Sequence, residues 1–169
     1  MAAAITASML TSLVSAVGSH HVTTDPDVLA GRSVDHTGRY RGRASALVRP
    51  GSAEEVAEVL RVCRDAGAYV TVQGGRTSLV AGTVPEHDDV LLSTERLCVV
   101  SDVDTVERRI EIGAGVTLAR CSTPRQRLGW CSAWICRPGI PRPSVAWPRR
   151  TPADCARSVT ATWASRLSG

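Results

Sequence analysis

The stretch Tyr69-Val70-Thr71-Val72-Gln73-Gly74-Gly75-Arg76-Thr77-Ser78-Leu79-Val80-Ala81-Gly82 constrains this chain more than any other. A run of β-formers passes directly into a glycine pair, two hydroxyl residues and an arginine. Such a passage suits phosphate. Glycines clear the way for backbone N–H groups to converge on an oxyanion, Thr77 and Ser78 add hydroxyl donors, and Arg76 adds charge and a fork of donors. The same residues suit a tight turn whose glycines supply positive φ, and residue chemistry alone leaves both readings open. The G-x-G-x-x-G fingerprint is absent, and no G-K-[ST] loop exists because the chain contains no lysine.

The surroundings give the loop a framework. Ala44–Arg49 reads as a strand, and Ser52-Ala53-Glu54-Glu55 as a capping box with Ser at N-cap and Glu at N3. Val56, Val59, Leu60 and Cys63 follow at helical spacing and are expected in the core; Gly67 ends the helix. With Tyr69–Val72 as the next strand, the unit is strand, helix, strand, which predicts a parallel pair. Nearer the N-terminus, Ala4–Ala16 reads as a helix, and Asp25 with Pro26 marks the start of another. Downstream, Val90–Ser93 and Arg108–Gly113 read as strands, Val99–Val103 as an extension toward a second region, and Gly113-Ala114-Gly115 as a small-residue turn. The pair His20-His21 reads as surface histidines, and His87, in the polar turn Glu86–Asp89, as solvated. Arg39, Arg41 and Arg43 read as a solvated basic loop. No metal site is expected.

In this order, Ala46–Val56, the loop, Thr83-Val84-Pro85, Val90–Ser93 and Ile110–Val116 resemble the N-terminal part of the FAD-linked oxidases of the vanillyl-alcohol oxidase / p-cresol methylhydroxylase (PCMH) type. The branch most similar is that of D-lactate dehydrogenases and the glycolate oxidase flavin subunit. The resemblance runs from about Asp25 to Ala119 and is specific as an ordered set. It implies FAD as cofactor, with Gln73, Gly74, Gly75, Arg76, Thr77, Ser78, Leu79 and Gly82 around its pyrophosphate, mostly through backbone N–H. It implies an α+β architecture: the first subdomain of a PCMH-type FAD-binding domain with the opening strands of the second. It also implies oxidation of a small 2-hydroxy acid or alcohol. No catalytic residue is assigned, since the family's substrate groups lie in a later cap region.

Composition divides the chain. Residues 1–119 hold 11 arginines and 15 acids, whereas residues 120–169 hold nine arginines, one acid and all four tryptophans. The basic excess therefore belongs to the tail and implies no nucleic-acid partner for the folded body. After Ala119 the apolar pattern has neither helical nor strand period, and a disordered tail is expected. The expected domains are a helical lead-in (1–39), a partial FAD-binding domain (40–119) and the tail (120–169). Read in a shifted frame, the tail can encode a GG-x-x-x-T-N-A-GG motif of the same flavoproteins, falling on Ser144 to Asp154. The expectation is a frameshifted, truncated family member, which the coding DNA would test. Two alternatives stand beside it: an inactive remnant without stable FAD, and a basic nucleic-acid-binding protein acting through the Arg/Trp tail. No stretch is apolar and long enough to span a bilayer, the cysteines lack metal or disulfide spacing, and a cytoplasmic setting is expected.

Overall fold

The computed structural model describes residues 5–104, 106, 110–117 and 120. The chain divides into a main unit, Met1–Val99 with Ile112–Thr117, and a second unit, Val100–Glu111 with Leu118–Gly169. The expected tail, its shifted-frame motif and the Arg/Trp surface all fall outside the described residues, Arg120 apart.

The main unit is built on a four-stranded sheet, in spatial order β1 (Val22–Thr23), β2 (Ala44–Val48), β4 (Asp89–Ser93), β3 (Val70–Gln73). β1 is antiparallel to β2, while β2 and β3 each run parallel to β4. The strand–helix–strand unit does yield parallel strands, as expected, but they are not neighbours: β4 lies between them. The reason is burial. Every residue of β4 is buried, so this strand takes the interior position, where both faces are covered.

Alternate residues of β2 and β4 feed two apolar clusters. Val48, Val90 and Leu92 pack with Met9, Leu13 and Val17 of α1 (Ala7–Val17) and Val59, Val62 and Cys63 of α3 (Ala53–Asp65). Leu47 and Leu91 pack with Leu29 of α2 (Pro26–Arg32). The helices thus cover both faces of the sheet, in an α+β arrangement.

Local chemistry sets the helix ends. The Ser52 hydroxyl accepts from the Glu55 N–H at 3.2 Å, and the Glu55 carboxylate accepts from the Gly51 N–H at 2.7 Å, one residue before the position a capping box usually uses. At the other end, Gly67 has φ +65°; its N–H donates to Arg64 O and that of Ala68 to Cys63 O, the paired bonds of a Schellman motif. Asp25 caps α2 by accepting from the N–H groups of Asp27 and Val28. One core expectation fails. Leu60 is exposed, and Val62 is buried in its place.

Strand signals after β4 are shorter than expected. Val99 accepts from Gly113 N–H and Leu97 from Gly115 N–H within the main unit. In the second unit Ser101 N–H donates to Glu111 O, and Glu111 N–H to Ser101 Oγ. No extended strand forms among the described residues of either segment.

Candidate functional site

The loop leaves the carboxyl end of β3, beside the carboxyl end of β4. At its entry Gln73 is fully buried and does not face solvent. Its Nε2 donates to Arg32 O at 2.8 Å and to Thr83 O at 2.9 Å. Next, Gly74 and Gly75 are exposed. A Cβ built on Gly75 or Gly82 would meet nothing within 4 Å, and one on Gly74 only Thr94 Oγ1 at 3.6 Å. Arg76 turns back, its Nη1 donating to Gly31 O at 2.9 Å. Thr77 and Leu79 are exposed, and Ser78 Oγ accepts from Val80 N–H at 3.2 Å. Thr83, past the loop, closes the neck through Gln73.

The glycine pair does not have the conformation a plain turn would require. The left-handed residues of the loop are Arg76 (φ 53°) and Ala81 (φ 56°), and none of its glycines has positive φ. The glycines that backbone packing requires lie elsewhere. A Cβ on Gly42 would fall 1.7 Å from Pro85 O, on Gly113 2.1 Å from Leu97 O, and on Gly115 2.0 Å from Thr94 O.

Among the described residues, none accepts a hydrogen bond from the backbone N–H of Gly74, Gly75, Arg76, Thr77, Ser78 or Leu79. Successive free N–H groups with open space above the glycines fit an anionic diphosphate. Thr94 is a neighbour that sequence reasoning missed. It is buried at the end of β4, and its Oγ1 donates to Ala114 O at 3.3 Å. Its signal was positional: a hydroxyl residue at the carboxyl end of the strand next to β3.

Charge behind the loop is arranged in pairs. Arg32 meets Glu95 at 2.9 Å, Arg49 meets the same carboxylate at 3.7 Å, and Arg96 meets Glu55 at 3.5 Å. Burial alone would raise the Glu95 carboxyl; the hydrogen bond and charge of Arg32, with Ser93 and Arg49, outweigh it and hold it below its ordinary value. His20 is exposed, whereas His21 is half-buried and its imidazole is pushed down, first by burial and then by Arg96 and Arg49. His87 is exposed, with its ring 5.0 Å from that of Tyr69, and its backbone N–H donates to Asp89 Oδ1 at 2.9 Å. Among the described residues no group of three or more His, Cys, Asp or Glu could hold a metal ion. None of their helices is long and apolar enough to cross a membrane.

An α+β unit whose loop, at the carboxyl edge of parallel strands, carries N–H groups that no described residue engages has donors suited to an anion. More particularly, the chain belongs to the FAD binding domain family, which matches residues 44–131, and its cofactor is FAD. The match continues past Ala119, where the composition changes. The chain is 36% identical over 99 residues to the mitochondrial D-2-hydroxyglutarate dehydrogenase of Danio rerio, covering 59% of this chain and 19% of that one. It is 36% identical over 107 residues to the D-2-hydroxyglutarate dehydrogenase of Xanthomonas citri pv. viticola, covering 63% and 23%. The chain thus spans about a fifth of the length of such curated relatives. Among solved structures, alkyldihydroxyacetonephosphate synthase is similar with a TM-score of 0.67 at 16% identity, over 74% of this chain and 25% of that one. Substrate-bound p-cresol methylhydroxylase follows with 0.58 at 15%, over 72% and 24%. These likenesses show a shared fold.

Proposed function

We propose that residues 40–119 form the pyrophosphate-holding part of an FAD-dependent dehydrogenase that oxidises a small D-2-hydroxy acid. The observation that carries this reading is the run of N–H groups from Gly74 to Leu79 that no described residue engages, with Thr94 beside Gly74. The substrate class is supported by relatives named for D-2-hydroxyglutarate. When bound, FAD supplies the two-electron acceptor for the substrate's C–OH. This chain's own residues contribute the backbone donors of Gly74, Gly75, Arg76, Thr77, Ser78 and Leu79, the clearance at Gly82, and the buried neck at Gln73. A cytoplasmic setting belongs to the same proposal; the unpaired Cys63 and Cys98 are consistent with it.

The isolated chain supplies one segment of the grip on FAD, and an isolated loop meets the whole ordering cost with few contacts. Purified without added cofactor, residues 1–169 should carry no stoichiometric flavin, and a flavin absorbance that survives gel filtration would overturn that expectation. The loop itself is tested by titrating the labelled chain with ADP. Amides of residues 74–79 should shift, and Gly75→Val should abolish the shifts while leaving the fold intact, because the added Cβ meets no protein atom. Equal shifts in the variant would remove these residues from the site.

A further inference from the structure

We propose that Gln73 and Arg76 are positioning residues, which fix the loop against the last turn of α2 and leave phosphate contact to backbone N–H groups; this rests on the pyrophosphate reading of the loop. The two side chains converge on one place. Arg76 Nη1 donates to Gly31 O and Gln73 Nε2 to Arg32 O, two carbonyls in the final turn of a helix that ends at Arg32. Such carbonyls lack partners within their own helix and carry its negative end, so amide and guanidinium donors satisfy them well.

Gln73 does more than anchor the entry. Its second N–H donates to Thr83 O, so one buried amide joins the start of the loop to the residue that follows it. Only the NH2 end of the amide can face two carbonyls, which fixes its orientation. The anchor is itself held. Leu29 of α2 packs on Leu47 and Leu91, and the Arg32 side chain is paired with Glu95 at the end of β4. The line of support runs from the sheet through α2 to the loop. Arg76 has the residue type expected of a phosphate ligand, but its φ of 53° and its bond to Gly31 O place it as a tether.

The test uses the 169-residue chain with Arg76→Met, Arg76→Lys and Gln73→Glu. Order parameters of loop amides are read without ligand, and ADP affinity is read at several salt concentrations. Tethering predicts that Arg76→Met and Gln73→Glu drop the order parameters of residues 74–80 from about 0.85 towards 0.6 or below. Arg76→Lys, which keeps a donor, should restore most of the order. ADP affinity should fall about tenfold in Arg76→Met, through lost preorganisation, with its salt dependence unchanged. Unchanged loop order in Arg76→Met, or a marked loss of salt dependence, would overturn the tether and make Arg76 a phosphate contact. Should Gln73→Glu fail to fold, the Arg76 pair alone decides. Loop order that falls as expected, in a chain on which ADP moves no loop amide, would sustain the tether and overturn the pyrophosphate reading instead.

Discussion

Gly115 lies so close to Thr94 that a Cβ built on the glycine would fall 2.0 Å from the threonine carbonyl oxygen. Gly113 stands in the same relation to Leu97, at 2.1 Å. Both contacts are with backbone, which cannot swing aside. Gly113→Ala and Gly115→Ala should each cost about 1–3 kcal/mol, as overpacked sites do. Gly75→Ala, facing open space, should leave stability unchanged to within about 0.5 kcal/mol. Urea midpoints of the three variants check the contrast, and equal midpoints would contradict it.

Ala81 carries a left-handed backbone, with φ 56°, that its Cβ disfavours by about 1–2 kcal/mol. Glycine would relieve this at an entropic cost of about 0.4–1 kcal/mol in the unfolded chain. Ala81→Gly should therefore stabilise the fold by about 0.5–1 kcal/mol. A thermal midpoint at or below that of the parent chain would show that the loop relaxes without help.

The two ends of α3 offer a paired test. Ser52→Ala removes the acceptor for Glu55 N–H and should cost about 1 kcal/mol. Gly67→Ala forces a Cβ into φ +65° at the Schellman position and, net of the lower entropy of the unfolded chain, should cost about 0.5–1 kcal/mol. The sites sit at opposite ends of the helix, so the double variant should lose close to the sum. A markedly smaller loss would mean that one end frays already.

The legibility of α3 has a physical basis. Its cap, its apolar spacing and its stop are all local, and each lies within a few residues of what it controls. Leu60 misled because it is one residue past Val59 and so about 100° further round the helix, beyond the buried stripe that Val59, Val62 and Cys63 define. The place of β4 between β2 and β3 was not legible, since strand order depends on which distant strand has both faces covered. The loop was legible as a passage out of a strand and not as a conformation. Its left-handed positions fall on Arg76 and Ala81, where sequence gives no sign of them, while the glycines crowded by backbone, Gly42, Gly113 and Gly115, meet segments remote in sequence. Gln73 reads as part of a phosphate loop, but its burial comes from α2, a helix that no local pattern ties to it.

The turn before β2 carries a pH signature. Asp35 is buried and holds three donors: the Thr37 hydroxyl at 2.5 Å and the N–H groups of Thr37 at 3.1 Å and Tyr40 at 2.9 Å. The Thr37 hydroxyl bond, aided by the backbone N–H groups and opposed by burial, lowers its pKa from 3.8 to about 2. The sign follows from linkage. The native state binds the proton less readily than the unfolded chain, so the carboxylate's contribution is fully present above pH 3.8 and is lost as pH falls through about 2. Asp35→Asn removes this dependence. In urea unfolding, the parent chain should exceed the variant by a constant margin above pH 5, with the gap narrowing steadily between about pH 4 and pH 2. Thr37→Val, which deletes the largest of the lowering contacts, should move the narrowing to higher pH. A margin that stayed constant across that range would show that Asp35 titrates alike in the folded and unfolded chains.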